Sequence, residues 1–281
     1  MSDVLLVLGN PIKHSKSPLI HNYWLKKYKI NARYDKKCVK KEELKKYVAL
    51  VKQEKLKGCN ITVPYKKDFF DLVDKVDRHA ESSLAINTVF TENEMVIGTN
   101  TDGLGFVSSL IDDLNYNLRP NLNIFCIGAG GASYGIISEL LKYKPNSVEV
   151  SNRTHSSTLN LVKHFCKEKD LYKKIIKPIP WGENPKKHID LIINTTTCGM
   201  NETDEFPIEF NELSKQTFVY DIIYSPKDTI LMKKARLNNL RTSNGIYMLI
   251  RQAAVSFEKW FKINLNNDDI NEVIRLLGYD H

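Results

Sequence analysis

The chain has 281 residues, 42% hydrophobic and 26% charged, a globular balance that can bury a sizeable core in two ordinary domains or one large one. Its net charge of +8 arises from 41 Lys and Arg against 33 Asp and Glu. The lysines are spread along the whole length, and runs such as Lys36-Lys37, Lys40-Lys41 and Lys186-Lys187 lack the interleaved aromatics of a base-stacking surface, so a solvated basic face is favoured over nucleic-acid binding.

The N-terminal apolar run Val4–Leu8 predicts a strand and is too short for a signal-peptide core. Further strands are predicted at Ala32–Val39, Cys59–Val63, Asn87–Phe90 and Met95–Gly98. Helical patterns lie between them at Pro18–Tyr28 and Glu42–Glu54. Thr101 to Gly105 leads into a predicted helix from Phe106 to Leu114, and the polar turn 115–121 opens a second series. Its strands are Leu122–Ile127, Ser147–Ser151, Ile175–Ile179, Asp190–Asn194 and Thr217–Ile222, with helices at Ala132–Lys144 and Ser156–Lys169. Two helices close the chain, Gly245–Phe261 and Asp268–Leu277. Strand–helix alternation predicts an α/β protein of two α/β units with mostly parallel sheets. The terminal helices can return to the first unit, which would set a cleft between the two. Cys38, Cys59, Cys126, Cys166 and Cys198 contain no C-x-x-C. No zinc site is therefore expected, and reduced thiols in a cytoplasm are. No segment is long enough to span a bilayer.

The turn Gly128-Ala129-Gly130-Gly131-Ala132-Ser133 follows a buried strand and opens a helix, the setting of a dinucleotide fingerprint. Gly128 permits the tight turn, and Gly130 lets backbone approach a pyrophosphate. The helix N-terminus offers N–H groups and partial positive charge. Ser133 stands where Gly or Ala is usual. An NAD site normally presents an acidic residue about 20 residues past the first glycine. Here the next strand ends in Ser151-Asn152-Arg153-Thr154, and Glu149 lies inside it. Arg153 can pair bidentately with a 2′-phosphate, which favours NADP over NAD.

Polar clusters stand at predicted strand ends in the first unit: Gly9 to Pro18, Asn60 to Lys66, Asn87-Thr88, and Asn100 to Gly103. Ligands in open α/β sheets gather at the carboxyl ends of strands. Convergence of these hydroxyls, an amide, a lysine and a carboxylate suits a small polyhydroxylated acid.

Together these motifs resemble the shikimate dehydrogenase family over nearly the whole chain. G-N-P-x-x-H-S-x-S-P runs from Gly9 to Pro18, N-x-T-x-P-x-K from Asn60 to Lys66, A-x-N-T from Ala85, and N-T-D-G from Asn100. G-A-G-G-A follows at Gly128, N-R-T at Asn152, D-x-x-Y-x-P at Asp221 and G-x-x-M-L-x-x-Q-A at Gly245. The resemblance implies a substrate-binding catalytic domain over 1–104 completed by 245–281, and a Rossmann-type NADP-binding domain over 105–244. It implies NADPH-dependent reduction of 3-dehydroshikimate to shikimate, a step of aromatic amino-acid biosynthesis. Ser15 and Ser17 would bind the substrate carboxylate, with Tyr224 near it. Thr62, Asn87 and Gln252 would bind ring hydroxyls, and Lys66 and Asp102 would form the catalytic pair. Gly128 to Ser133 (with Ala129, Gly130, Gly131 and Ala132), Asn152, Arg153, Thr154, Ile222 and Gly245 would line the cofactor. Ser157 stands where many NADP-using members carry a second basic residue. An NAD-preferring quinate/shikimate relative is the nearest alternative, and lacks support from an acid at Asn152 or Arg153. A non-catalytic dinucleotide sensor would need neither Lys66 nor Asp102. The expected partner is a small-molecule substrate, with neither nucleic acid, membrane nor metal, and a homodimer is the candidate assembly.

Overall fold

A computed structural model of the chain describes residues 2–279 except 202 and 207. The chain divides into two compact units, Met1–Ser109 with Leu249–His281, and Leu110–Met248.

The first unit runs β1 (Asp3–Gly9), α1 (Ser17–Lys27), β2 (Ala32–Cys38), α2 (Leu44–Lys52), β3 (Gly58–Ile61), β4 (Lys75–Val76), α3 (Arg78–Ser83), β5 (Thr88–Glu92), β6 (Met95–Thr99) and α4 (Asp102–Ser108). Its sheet has the order β2-β1-β3-β5-β6-β4. Strand β1 is parallel to β2 and β3, and β4 to β6, whereas β5 runs antiparallel to both β3 and β6. Because β5 runs backwards, its first residue Thr88 pairs with Asn60 and Thr99, near the carboxyl ends of β3 and β6. Asn87, which precedes its strand, therefore meets residues that follow theirs.

Local chemistry explains the helices around this sheet. Pro18 sits in the first turn of α1, where its missing N–H has no intrahelical acceptor to lose. Helix α2 buries Leu44, Tyr47 and Val51, an i, i+3, i+7 stripe on the sheet. Asp77 caps α3, its carboxylate accepting from His79 N and Ala80 N at 3.0 Å each.

The second unit runs β7 (Asn123–Ile127), α5 (Gly131–Leu141), β8 (Ser147–Ser151), α6 (His155–Glu168), α7 (Tyr172–Ile175), β9 (Ile176–Ile179), β10 (Leu191–Asn194), β11 (Phe218–Asp221), α8 (Ile230–Leu237) and β12 (Arg241–Ser243). Its sheet order is β12-β11-β10-β7-β8-β9, with every pairing parallel. The order reverses between β7 and β10, the switch point of a Rossmann-type sheet. Helices α9 (Ile246–Phe261) and α10 (Asn267–Leu276) follow. From Leu249 onward they belong to the first unit, where Trp260 Nε1 donates to Val89 O at 3.0 Å.

The ten predicted strands are all present within a residue or two. The short elements β4, β12, α3, α7 and α8 were not predicted. The helix expected from Phe106 starts earlier, at Asp102, and passes into a π turn over Ser109–Asp113. Asp102 thus lies in the first turn of the helix. Among the described residues no helix is long and apolar enough to cross a membrane, and no cluster of His, Cys, Asp and Glu could hold a metal.

Candidate active site

In the first unit, Lys66 follows β3 and Asp102 opens α4. Lys66 Nζ donates to Asp102 Oδ2 at 2.5 Å, with the lysine side chain 19% exposed and the aspartate 6%. The other carboxylate oxygen, Oδ1, accepts from Asn87 Nδ2 at 2.8 Å. That amide is held in one orientation, because Asn87 Oδ1 accepts from Thr101 N at 2.9 Å. Its Nδ2 also approaches Thr101 Oγ1 at 2.9 Å and Gln252 Oε1 at 3.3 Å. Gln252 is anchored from α9, its Nε2 donating to Leu249 O at 2.8 Å. Four of the expected site residues, Lys66, Asp102, Asn87 and Gln252, are therefore one hydrogen-bonded group, in which Lys66 is the most exposed member and the other three are buried.

The remaining expected residues of this unit follow β1 and β3. Ser15 Oγ and Ser17 Oγ are 3.3 Å apart at the start of α1. Thr62 follows β3 and donates its N–H to Leu8 O at 2.9 Å. Its methyl fills the space beside Gly9, where a Cβ would come within 2.5 Å of Thr62 Cγ2. Sequence reasoning missed the polar layer beneath. Tyr34 OH donates to Asn60 Oδ1 at 2.6 Å, and Asn60 Nδ2 approaches Asn87 O and Thr88 Oγ1 at 3.0 Å and Ser256 Oγ at 3.1 Å. Thr88 Oγ1 lies 2.9 Å from Asn87 Oδ1. Ser256 carried a readable signal, since it stands one helical turn beyond Gln252 on the same face of α9. His21 is stacked on Tyr34 with ring centroids 4.3 Å apart. Burial lowers its pKa to about 3, against a smaller opposing pull from Asn60.

In the second unit the glycine turn lies between β7 and α5. Gly128 has φ +115°, and a Cβ there would be 2.3 Å from Thr195 Oγ1. A Cβ on Gly130 would meet nothing within 4 Å, so the turn presents open backbone at the start of α5. Ala129 is buried and Gly131 and Ala132 are half-buried. Ser133, the unusual residue, is fully buried: its hydroxyl accepts from Gly130 N at 3.2 Å and lies 2.6 Å from Thr195 Oγ1. It braces the turn from inside. Gly128 N donates to Ser151 O at 2.7 Å, which brings the end of β8 beside the turn. There Asn152 Nδ2 donates to Thr154 O at 2.9 Å, and Arg153 is exposed. Glu149 is buried within β8, its Oε1 3.9 Å from His188 Nε2.

Ile222, Ile223 and the half-buried Tyr224 follow β11. Ile222 N donates to Asn194 O, and Gly245 N to Ile223 O, both at 3.0 Å. A Cβ on Gly245 would stand 1.9 Å from Ile222 O, so only glycine admits this approach. Beneath them lies Asp221, whose carboxyl burial pushes up to about 6 against hydrogen bonds from Thr229, Ile223 N and Asn194. Open space over Gly130, the start of helix α5 and an exposed arginine at the next strand end together fit a dinucleotide phosphate chain.

Comparison with known proteins agrees with both units. Residues 7–89 match the family described as the shikimate dehydrogenase substrate binding domain. The chain is 40% identical over 277 residues to shikimate dehydrogenase (NADP(+)) of Pelagibacter ubique, covering 99% of each, and 33% identical over 269 residues to that of Bacillus subtilis, covering 95% of each. A shikimate dehydrogenase crystallised with NADP+ superposes with a TM-score of 0.90 at 30% identity, covering 99% of this chain and 96% of its own. The Thermus thermophilus enzyme in complex with NADP(H) and shikimate gives 0.84 at 25%, covering 98% and 99%. With the motifs, the Lys66–Asp102 pair and near-complete coverage in agreement, the chain belongs to the shikimate dehydrogenase family.

Proposed function

We infer that this chain catalyses the reversible NADPH-dependent reduction of 3-dehydroshikimate to shikimate. The observation that carries the reading is the Lys66–Asp102 pair at 2.5 Å, fixed by Asn87 in a chain 40% identical to a shikimate dehydrogenase (NADP(+)) along 99% of its length. The first unit carries the catalytic pair and most of the substrate-binding residues, and the second carries the cofactor-binding residues and Tyr224.

Bound NADPH supplies the hydride, and NADP+ accepts it in the reverse direction. Reduction of a ketone leaves charge developing on its oxygen. Lys66 Nζ stabilises that charge and donates the proton; in the oxidative direction it receives the proton back. Asp102 aims the ammonium and holds the same hydroxyl. Asn87 and Gln252 bind ring hydroxyls together with Thr62. The hydroxyls of Ser15 and Ser17 donate to the substrate carboxylate, and Tyr224 serves the same group. Gly128 to Ser133 hold the pyrophosphate, Asn152 to Thr154 hold the adenosine ribose and its 2′-phosphate, and Ile222 and Gly245 shape the nicotinamide end.

The free state of the cysteines suits the reducing cytoplasm in which we place the protein. The test is a spectrophotometric assay crossing NADP+ and NAD+ with shikimate and quinate. NADP+ with shikimate should give by far the highest kcat/KM. Absence of shikimate-dependent reduction of either cofactor would refute the function.

A further inference from the structure

The Ile222–Tyr224 segment and the glycine turn are separate stretches of chain, and one buried pair ties them together. Asp221 ends β11, and Asn194 ends the adjacent β10 in register with it. Both are fully buried. Asp221 Oδ1 accepts from Asn194 Nδ2 at 2.9 Å and from Ile223 N at 3.1 Å, and Oδ2 accepts from Thr229 Oγ1 at 2.7 Å. One carboxylate thus fixes its own following loop, the end of β10 and the cap of α8.

Asn194 passes that constraint on. Its Oδ1 accepts from Thr196 N at 3.0 Å and from Thr196 Oγ1 at 2.7 Å, while its Nδ2 also approaches Cys198 O at 3.1 Å. Thr195 and Thr196 form the wall against Gly128: a Cβ there would meet Thr195 Oγ1 at 2.3 Å and Thr196 Cγ2 at 2.9 Å. Thr195 Oγ1 in turn meets Ser133 and donates to Ile127 O at 2.8 Å. A continuous series of hydrogen bonds and contacts therefore runs from Asp221 through Asn194 and Thr195-Thr196 to the phosphate turn. Its other arm holds Ile223, and through Ile223 O it holds Gly245.

We propose that Asp221 and Asn194 are positioning residues for NADP(H), a buried clamp that sets the phosphate turn and the Ile222–Gly245 wall at a fixed separation. The inference rests on the NADP reading above. An ionised carboxylate is suited to the task because it only accepts, and three donors from three segments converge on it. Its retention in a buried place, where charge is costly, is offset by those donors.

Asp221→Asn keeps the volume and removes the charge and one acceptor. NADPH affinity, read by titrating the fluorescence of NADPH itself, should fall about tenfold or more, the scale of losing a hydrogen bond to a buried charge. The KM for shikimate, most of whose proposed contacts lie in the first unit and only Tyr224 in the second, should change much less than the affinity for NADPH. Asn194→Ala should reproduce this split, and the double variant should lose little more than the larger single loss, since the pair acts as one connection. Should Asp221→Asn fail to fold, Asn194→Ala and Thr196→Val carry the same test from the other end. Unchanged NADPH affinity in folded variants, or equal loss for NADPH and shikimate, overturns the proposal. Failure of the wild-type protein to bind NADPH would instead refute the cofactor reading itself.

Discussion

Gly105 of α4 lies directly against the backbone of Gln252 in α9: a Cβ on Gly105 would stand 2.5 Å from Gln252 N and 2.6 Å from Gln252 Cβ. Neither backbone nor Cβ can swing aside, so the absence of a side chain at 105 sets the depth of α9. Gly105→Ala should destabilise the protein by about 1–3 kcal/mol, the usual cost of overpacking. The displacement falls at Gln252 and, through its 3.3 Å approach, at Asn87. A lower melting temperature together with a raised KM for shikimate is expected. A normal KM would separate packing from substrate binding.

The Lys66 side chain is 19% exposed and pairs with Asp102. Lys66→Ala should lose kcat by about 100-fold or more in the folded protein, the scale of a general acid. Affinity for NADPH should hardly move. Turnover near the wild-type value would remove Lys66 from its role.

Arg153 is exposed beside Asn152 at the end of β8. Arg153→Ala should leave the melting temperature unchanged and weaken NADPH much more than NADH, because only NADPH carries the 2′-phosphate. Equal losses for the two cofactors would refute that assignment.

His21 and Asp221 should tilt the acid stability profile in opposite directions. Burial holds His21 neutral, with a folded pKa of about 3 against 6.5 for the free side chain. An unfolded chain binds that proton first, so this contribution is present above about pH 6.5 and is lost as pH falls. Burial raises Asp221 to about 6 from 3.8. Its folded form binds the proton first, so stability from this group is full below the unfolded value and is lost as pH rises through 6. Cys198 nearby is pushed up by burial and stays a neutral thiol in this window. Denaturant unfolding between pH 7 and 4 checks both. Relative to His21→Phe, the wild type should lose roughly 3 kcal/mol over that range. Relative to Asp221→Asn, it should gain roughly 2 kcal/mol. Parallel profiles would refute the corresponding assignment.

The sequence displays the strands well because period and turn chemistry are local properties, and the glycine turn is local in the same sense. Strand β4 has two residues and β12 three, too short for any periodicity to register. The reversal of β5 left no mark either, since a strand reads alike in both directions. Lys66, Asp102 and Asn87 were legible as residue types near strand and helix ends, and Gln252 within the last long helical pattern. Their union was not, because it depends on Thr101 N turning the Asn87 amide. Ser133 looked like an imperfect fingerprint because its partner Thr195 is 62 residues away. The Tyr34–Asn60–Ser256 layer was hidden as a layer for the same reason: Ser256 shares a helix face with Gln252 and Asn60 opens a polar cluster, but only the fold brings them together with Tyr34.

Asn87 and Asp102 enter from the two ends of a single hairpin, β5 with β6, whose tip is Asn93-Glu94 at the opposite end of the sheet. Both tip residues are exposed, with φ values of 50° and 63°, the left-handed pair of a tight two-residue turn. The hydrogen bond joining Asn87 to Asp102 closes the hairpin at its base, so the reactive group does not depend on how the tip is connected. That makes the tip a natural splice point, where new termini or an inserted peptide could be accepted while the two ends stay locked. A chain opened there would present its graft a full strand length from the substrate.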